Sequence, residues 1–178
     1  MMSKVKLFIA ISLDGYIATE SGSIEWLNHF PQDEVDDSYE TFYNSIGNVI
    51  MGSTTYRQIT EELADVYPYA DSKSYVLTSQ TFKPADGVTF VNKNVSDVVK
   101  DIKSDNDSDI WIVGGSSIVK PLVENNEIDE YIIAIAPMLL GKGIPLFKHM
   151  NESLTLNLIN TYRKNQLVYL SYEKKPLK

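Results

Sequence analysis

Cysteine is absent from this 178-residue chain, which excludes disulfides and thiolate metal centres. Histidine is nearly absent: His29 and His149 lie far apart in sequence, too few for the ligand sets of His-based metal sites, so no metal is expected. Arginine occurs only at Arg57 and Arg163, and positive charge is scarce throughout. Lys and Arg total 16 against 24 Asp and Glu, for a net charge of −8 and a pI near 4.7. A chain without a basic stripe suits neither nucleic acid nor an anionic membrane surface, and neither is expected as a partner. Long apolar runs are missing too. The first, "KVKLFIAI", is too short to span a bilayer and is soon followed by Asp14. It reads as a first strand rather than a signal peptide, and the cytoplasm is the expected location.

What is present is ordinary globular composition, 43% hydrophobic and 22% charged, without repeat or low-complexity linker, so residues 1–178 are expected to form one domain. Strands are predicted at 4–11, 48–52, 74–79, 88–91, around 110–113 and at 128–139. "DEVDDSYETFYNSI" (33–46) places acids ahead of aromatics and predicts a helix whose positive end faces carboxylates. "STTYRQITEEL" (53–63) predicts another. In "NVSDVVKDIK" (94–103), Val95, Val98, Val99 and Ile102 follow i, i+3, i+4, i+7, and Asn94 can cap. "LTLNLINTY" and "LVYLSYE" form a strand pair at the end. Alternating strands and helices with two adjacent strands last predict an α/β fold of three layers: a mostly parallel mixed sheet flanked by helices, with an antiparallel C-terminal edge.

Several motifs fail on inspection. "DNDSD" (105–109) starts like a calcium loop, but Ile110 replaces its glycine and Ser116 its closing glutamate. S-x-x-K at Ser117–Lys120 and S-D-N at 104–106 stand in the wrong order for a penicillin-recognising serine enzyme. "IWIVGGSSIV" (110–119) survives. Gly114 and Gly115 stop a buried strand, and Ser116 and Ser117 precede a helix with Pro121 inside it. Two readings stay open: a tight corner using glycine's freedom at positive φ, or a seat where helix N–H groups meet an anion. "MGSTTYRQI" has the same form at Gly52, Ser53, Thr54 and Thr55, and "VLTSQ" ends a third strand in hydroxyls. Three such corners at carboxyl ends of strands suggest a long polyanionic ligand, and a dinucleotide has that shape.

"IAISLDGYIA", "VIMGSTTYRQI", "VLTS", "WIVGGSSIV" and "APMLLGKGIPLF" stand in the order found in the dihydrofolate-reductase-like superfamily. From about Lys4 to Glu173 the chain most resembles the C-terminal reductase domain of the bifunctional riboflavin-biosynthesis deaminase/reductase and its stand-alone bacterial relatives. The resemblance implies a dihydrofolate-reductase-like fold and a homodimeric, NADPH-dependent reductase of a pyrimidine- or pterin-type heterocycle, with NADH the alternative cofactor. It implies nicotinamide contacts at Ala10, Ile17 and Ala18, and pyrophosphate and adenosine contacts at Gly52, Ser53, Thr54 and Thr55. Thr78, Ser79 and Gln80 would surround the adenine ribose. Gly114, Gly115, Ser116, Ser117 and Ile118 would hold the pyrophosphate, often across a cis Gly-Gly bond. Ser53 stands where the family commonly has the arginine that reads the 2′-phosphate, one helical turn before Arg57. Counting back from "VIMG" to the acid of folate reductases reaches Asp36, with Asp37 beside it; the other reading of both is that acids opening a helix simply complement its dipole and are solvated. Trp26, Leu27 and Pro137 are candidates for the substrate wall. A non-catalytic dinucleotide-binding module is the rival reading.

Overall fold

Val5–Ser12 (β1) is apolar on both faces because both are covered. Val5, Leu7 and Ile11 join one core with Ile50, Ile110 and Ile112, whereas Phe8 packs into a second with Val49, Met51 and Trp111. The computed structural model describes residues 2–176. After β1 come Tyr16–Ala18 (β2), helix Ser38–Tyr43 (α1), Ile46–Gly52 (β3), helix Ser53–Gln58 (α2), Lys73–Leu77 (β4), Val88–Val91 (β5) and helix Val95–Asp105 (α3). Asp109–Gly114 (β6), helix Ser116–Glu124 (α4), Glu130–Ala136 (β7), Ile144–Pro145 (β8), Leu156–Lys164 (β9) and Leu167–Lys174 (β10) complete the order. A 3₁₀ turn spans Glu25–His29, and α2 runs on into a wider π-type turn, Ile59–Leu63.

One sheet of eight strands runs in the order β5-β4-β3-β6-β1-β7-β10-β9. Its first six strands pair in parallel; β10 then adds antiparallel to β7, and β9 antiparallel to β10. This is the expected mixed sheet with its antiparallel C-terminal edge. The small pair β2–β8 requires glycine at 143, where a Cβ would stand 2.3 Å from the Ala18 carbonyl oxygen.

Helices cover both faces. Val95, Val98, Val99 and Ile102 of α3 and Val119, Leu122 and Val123 of α4 fill the first core, while Phe42 of α1 and Ile59 after α2 fill the second. Asn94 caps α3 by accepting from the Asp97 N–H at 2.9 Å, as predicted. Neighbouring strands β3 and β6 therefore lead into helices on opposite faces, and the carboxyl edge of an α/β sheet opens into a crevice at such a point.

Some expected boundaries shift. The helix predicted over 33–46 is confined to Ser38–Tyr43, because the Asp36 carboxylate turns back to accept from the Ser38 N–H at 3.0 Å instead of leaving the segment helical. Asp37 is only its cap residue and makes no side-chain cap bond. The strand predicted over 74–79 stops at Leu77, since the Thr78 hydroxyl accepts from the Gln80 N–H and starts a turn. Helix α4 starts behind Gly115, so neither serine is its cap, and Pro121 lies inside it. No helix among the described residues is long and apolar enough to cross a membrane.

Candidate functional site

The two glycine corners are neighbours. Met51 pairs with Gly114 across β3 and β6; a Cβ on Gly52 would lie 3.5 Å from Ile118, and one on Gly115 3.9 Å from the Thr55 hydroxyl. Those are ordinary contacts, so neither glycine is demanded by internal crowding. The Gly114–Gly115 peptide is cis, and Gly114 has a φ of +126°; that positive φ supports the tight-corner reading for this residue. The anion-seat reading draws support beside it. Gly52 and Gly115 occupy the cap positions of α2 and α4, and neither helix has a side-chain cap. The first N–H groups of these helices therefore lack a capping acceptor. The hydroxyls of Ser53, Thr54, Thr55, Ser116 and Ser117 likewise have no side-chain hydrogen bond among the described residues, whereas that of Thr78 is engaged.

Along the same edge Gly52 pairs with Leu77, which brings Thr78, Ser79 and Gln80 next to the α2 corner. Arg57 reaches them: its guanidinium donates to the Gln80 side-chain oxygen and lies 4.9 Å over the Phe82 ring. A cation is thus fixed beside the third corner, although Ser53 offers none.

On the other side, Ala10 and Ile17 are half-buried, and Ile17 packs against the first core. Ala18 is a buried member of β2, 5% exposed, with Gly143 against its carbonyl; its side chain faces protein rather than an open site. Pro137 is exposed just past β7, next to a bond from the Leu13 N–H to the Met138 carbonyl. Asp14 ties this end together by accepting from the Leu140 and Gly141 N–H groups. The Ser12 hydroxyl bonded to it, with those amides, holds its carboxyl below the usual carboxylate range.

Asp36 lies over the second core. It accepts from the Tyr169 hydroxyl at 2.6 Å and the Ser38 N–H at 3.0 Å. Burial alone would raise its pKa, but bonds from Ser38 and Tyr169 and the Lys164 charge outweigh that and hold it below the ordinary value. Tyr169 pairs with Ala134, which pairs with Ala10, so the three share one face of the sheet. The structure thus sets Asp36 on the sheet face that carries Ala10 and leaves Asp37 exposed at the rim of a groove of about 490 Å³ that also touches Phe8, Ser38 and Tyr162. Trp26 is buried with an indole N–H that has no partner among the described residues, and Leu27 is half-buried beside it in sequence. Sequence reasoning missed Tyr169, Tyr162 and Ser38. The only available signal was the period-two pattern that sets Tyr169 and Ser171 on one face of β10.

The model of the RibD C-terminal domain matches residues 3–168. The chain belongs to the RibD C-terminal domain family. Its relatives include the uncharacterized protein YwjB of Bacillus subtilis (strain 168), 40% identical over 97% of this chain and 98% of that protein. A putative riboflavin biosynthesis protein from Shewanella sp. PV-4 superposes with a TM-score of 0.86 at 28% identity, covering 99% of this chain and 100% of that one. Dihydrofolate reductase from Enterococcus faecalis, complexed with NADP(H), gives a TM-score of 0.70 at 17% identity over 99% of this chain and 100% of that one. Membership in the RibD C-terminal domain family and a dihydrofolate-reductase-like fold agree with the resemblance drawn from the motifs.

Proposed function

We propose that this RibD C-terminal domain is an NAD(P)H-dependent reductase of a pyrimidine- or pterin-type heterocycle, with NADPH the preferred cofactor and NADH the alternative. One observation carries the reading: two helix starts with glycine at their cap positions meet where the paired strands β3 and β6 end, with five hydroxyls around them that make no side-chain hydrogen bond among the described residues. Such an arrangement fits a pyrophosphate by the helix-terminus argument. The dihydrofolate reductase of Enterococcus faecalis, which shares the fold, is complexed with NADP(H), and that supports the choice of dinucleotide.

In this reading Gly114, Gly115, Ser116, Ser117 and Ile118, with Gly52, Ser53, Thr54 and Thr55, hold the pyrophosphate. Thr78, Ser79, Gln80 and Arg57 take the adenosine end, and Arg57 replaces the missing arginine at Ser53. Ala10 and Ile17 border the nicotinamide; Ala18 contributes through position in β2 rather than by its side chain. When bound, the reduced nicotinamide supplies hydride. Asp36, held as a carboxylate, accepts a hydrogen bond from a ring N–H of the heterocycle and orients it. A carboxyl so held is a poor proton reservoir near neutral pH, so the accompanying proton comes from water. Trp26, Leu27 and Pro137 are proposed as the substrate wall, and Trp26 has a free donor to offer. A second copy of the chain is the proposed partner, docking at β9.

The test is a melting experiment with NADPH, NADH or neither, followed by loss of NADPH absorbance with pyrimidine and pterin acceptors. A ligand at about a hundred times its Kd adds about 2.7 kcal/mol, a shift of a few degrees. Stabilisation without turnover of any acceptor would favour the non-catalytic dinucleotide-binding module. No stabilisation by either cofactor would refute both.

A further inference from the structure

Asp36 and Tyr169 are 133 residues apart, yet the Tyr169 hydroxyl donates to Oδ2 of Asp36 at 2.6 Å. The ring presenting it is 5% exposed and stacks on Tyr162 with centroids 4.7 Å apart and planes 3° from parallel. Tyr162 donates to Oγ of Ser38 at 3.0 Å, and the Ser38 N–H donates to Oδ1 of Asp36. Asn165, at the β9–β10 turn, exchanges two bonds with the Glu34 backbone, 2.7 and 2.9 Å long. The β9–β10 hairpin therefore clamps the segment that carries the acid, and a tyrosine from its inner strand, β10, fixes the acid itself. Because Tyr169, Ala134 and Ala10 are register partners, that clamp stands on the face where Ala10 lies.

We propose that Tyr169 is a positioning residue for Asp36, its hydroxyl holding the carboxylate over the face of Ala10 as an acceptor for a ring N–H of the heterocycle. This rests on the reductase reading above. The charged and titratable groups around Asp36 are Lys164 and Tyr162 from β9, Tyr169 from β10, Lys6 from β1 along the adjoining groove, Tyr39 of α1, and Asp33, Glu34 and Asp37 on its own segment. Lys6 is already paired with Asp109 at 2.7 Å, which leaves Lys164 as the cation acting on Asp36. Burial, and then the Asp36 charge, push the Tyr169 phenol far above its ordinary range, so it keeps its proton and stays a donor at every working pH.

The test uses the full chain with ¹³C-labelled aspartate carboxyls, the Asp36 signal being assigned by its loss in Asp36→Asn. In Tyr169→Phe, which keeps the ring and its stack, the Asp36 titration midpoint moves up by about one pH unit. Quenching of pterin fluorescence in the presence of NADPH weakens about tenfold, as removal of a charge-assisted bond would produce. The acid limb of pterin binding moves up with the carboxyl midpoint, which loss of packing alone would not do. Stabilisation by NADPH is retained. An unchanged midpoint in folded Tyr169→Phe overturns the proposal. Failure of NADPH to stabilise the wild type refutes the reductase reading instead, while the carboxyl titration still decides the role of Tyr169. Should Tyr169→Phe not fold, the ¹³Cζ signal of labelled Tyr169 is followed through the acid titration of the wild type and of Asp36→Asn. It moves with the Asp36 midpoint in the wild type and not in Asp36→Asn if the two groups are coupled, and a wild-type signal that does not move overturns the proposal.

Discussion

Gly115 shows how a single atom can separate two explanations of one motif. It has a φ of −75° and ordinary room for a Cβ, 3.9 Å from the Thr55 hydroxyl. A side chain there burdens the fold little but fills the space above the helix start. We therefore expect Gly115→Val to leave a folded protein whose melting no longer responds to NADPH. A retained response in the folded variant would sink the phosphate seat. Arg57 makes a different kind of prediction. Its guanidinium is held by Gln80 and Phe82 beside the proposed adenosine end, and a charge-assisted hydrogen bond contributes roughly 1.5–3 kcal/mol. Arg57→Ala should weaken NADPH about tenfold or more and leave NADH nearly unchanged. Equal losses for both cofactors would remove Arg57 from 2′-phosphate recognition.

At the level of elements, α3 follows its sequence pattern and α1 does not. In α3 the cap residue, the acid in the first turn and the apolar stripe all agree: Asn94 caps, and all four stripe residues are buried. Asn94→Ala should cost about 1 kcal/mol, seen as a fall in melting temperature of about 2–4 °C. In α1 the acids before Ser38 look like a helix start, but Asp36 is drawn to Tyr169 and the helix is only six residues long. A local pattern yields there to a partner that sequence proximity cannot reveal. The β2–β8 pair depends on a close approach of the same hidden kind, between Gly143 and Ala18. Gly143→Ala should destabilise by about 1–3 kcal/mol through overpacking. A melting temperature equal to wild type would show that the loop can step aside.

Across the whole molecule, Asp129 joins distant parts of the chain. Its carboxylate accepts from the Val5 N–H at 2.8 Å and lies 2.7 Å from Lys174 and 3.7 Å from Lys103, linking β1, β10 and α3. Burial raises its pKa, but the Lys174 and Val5 bonds and the Lys103 charge outweigh burial and leave it lowered. A lowered folded-state pKa contributes stability that is present above the ordinary carboxylate range and is lost as pH falls through the folded value. Asp129→Asn should thus destabilise near about pH 7, and in urea unfolding the gap to wild type should close as pH falls below the ordinary carboxylate range. A gap that stays constant with pH would exclude the linkage. The free side of β9 sets the largest-scale expectation. Leu158 and Ile159 are adjacent in the strand and both more than half exposed, with Val168 of β10 also exposed. An unpaired edge carrying such residues invites a second chain. Light scattering should give a dimer that Leu158→Lys converts to monomer; a monomeric wild type would withdraw the proposed partner.

The amino-acid sequence determined, without further help, whatever depends on neighbours within a few residues. Continuous apolar runs marked β1, β3 and β6 because strands buried on both faces have no polar side to show. The 3.6 period and cap marked α3, and the two glycine-serine corners named the edge on which a ligand would sit. Tertiary structure decided what depends on long closures. The strand order puts β6 between β3 and β1, so the corners at Gly52 and Gly114 become one crevice although 62 residues separate them. It also carries Tyr169 to Asp36, Arg57 to Gln80 and Lys174 to Asp129. These contacts follow from packing two faces of one twisted sheet at once, a constraint on the whole chain that no short window of residues contains.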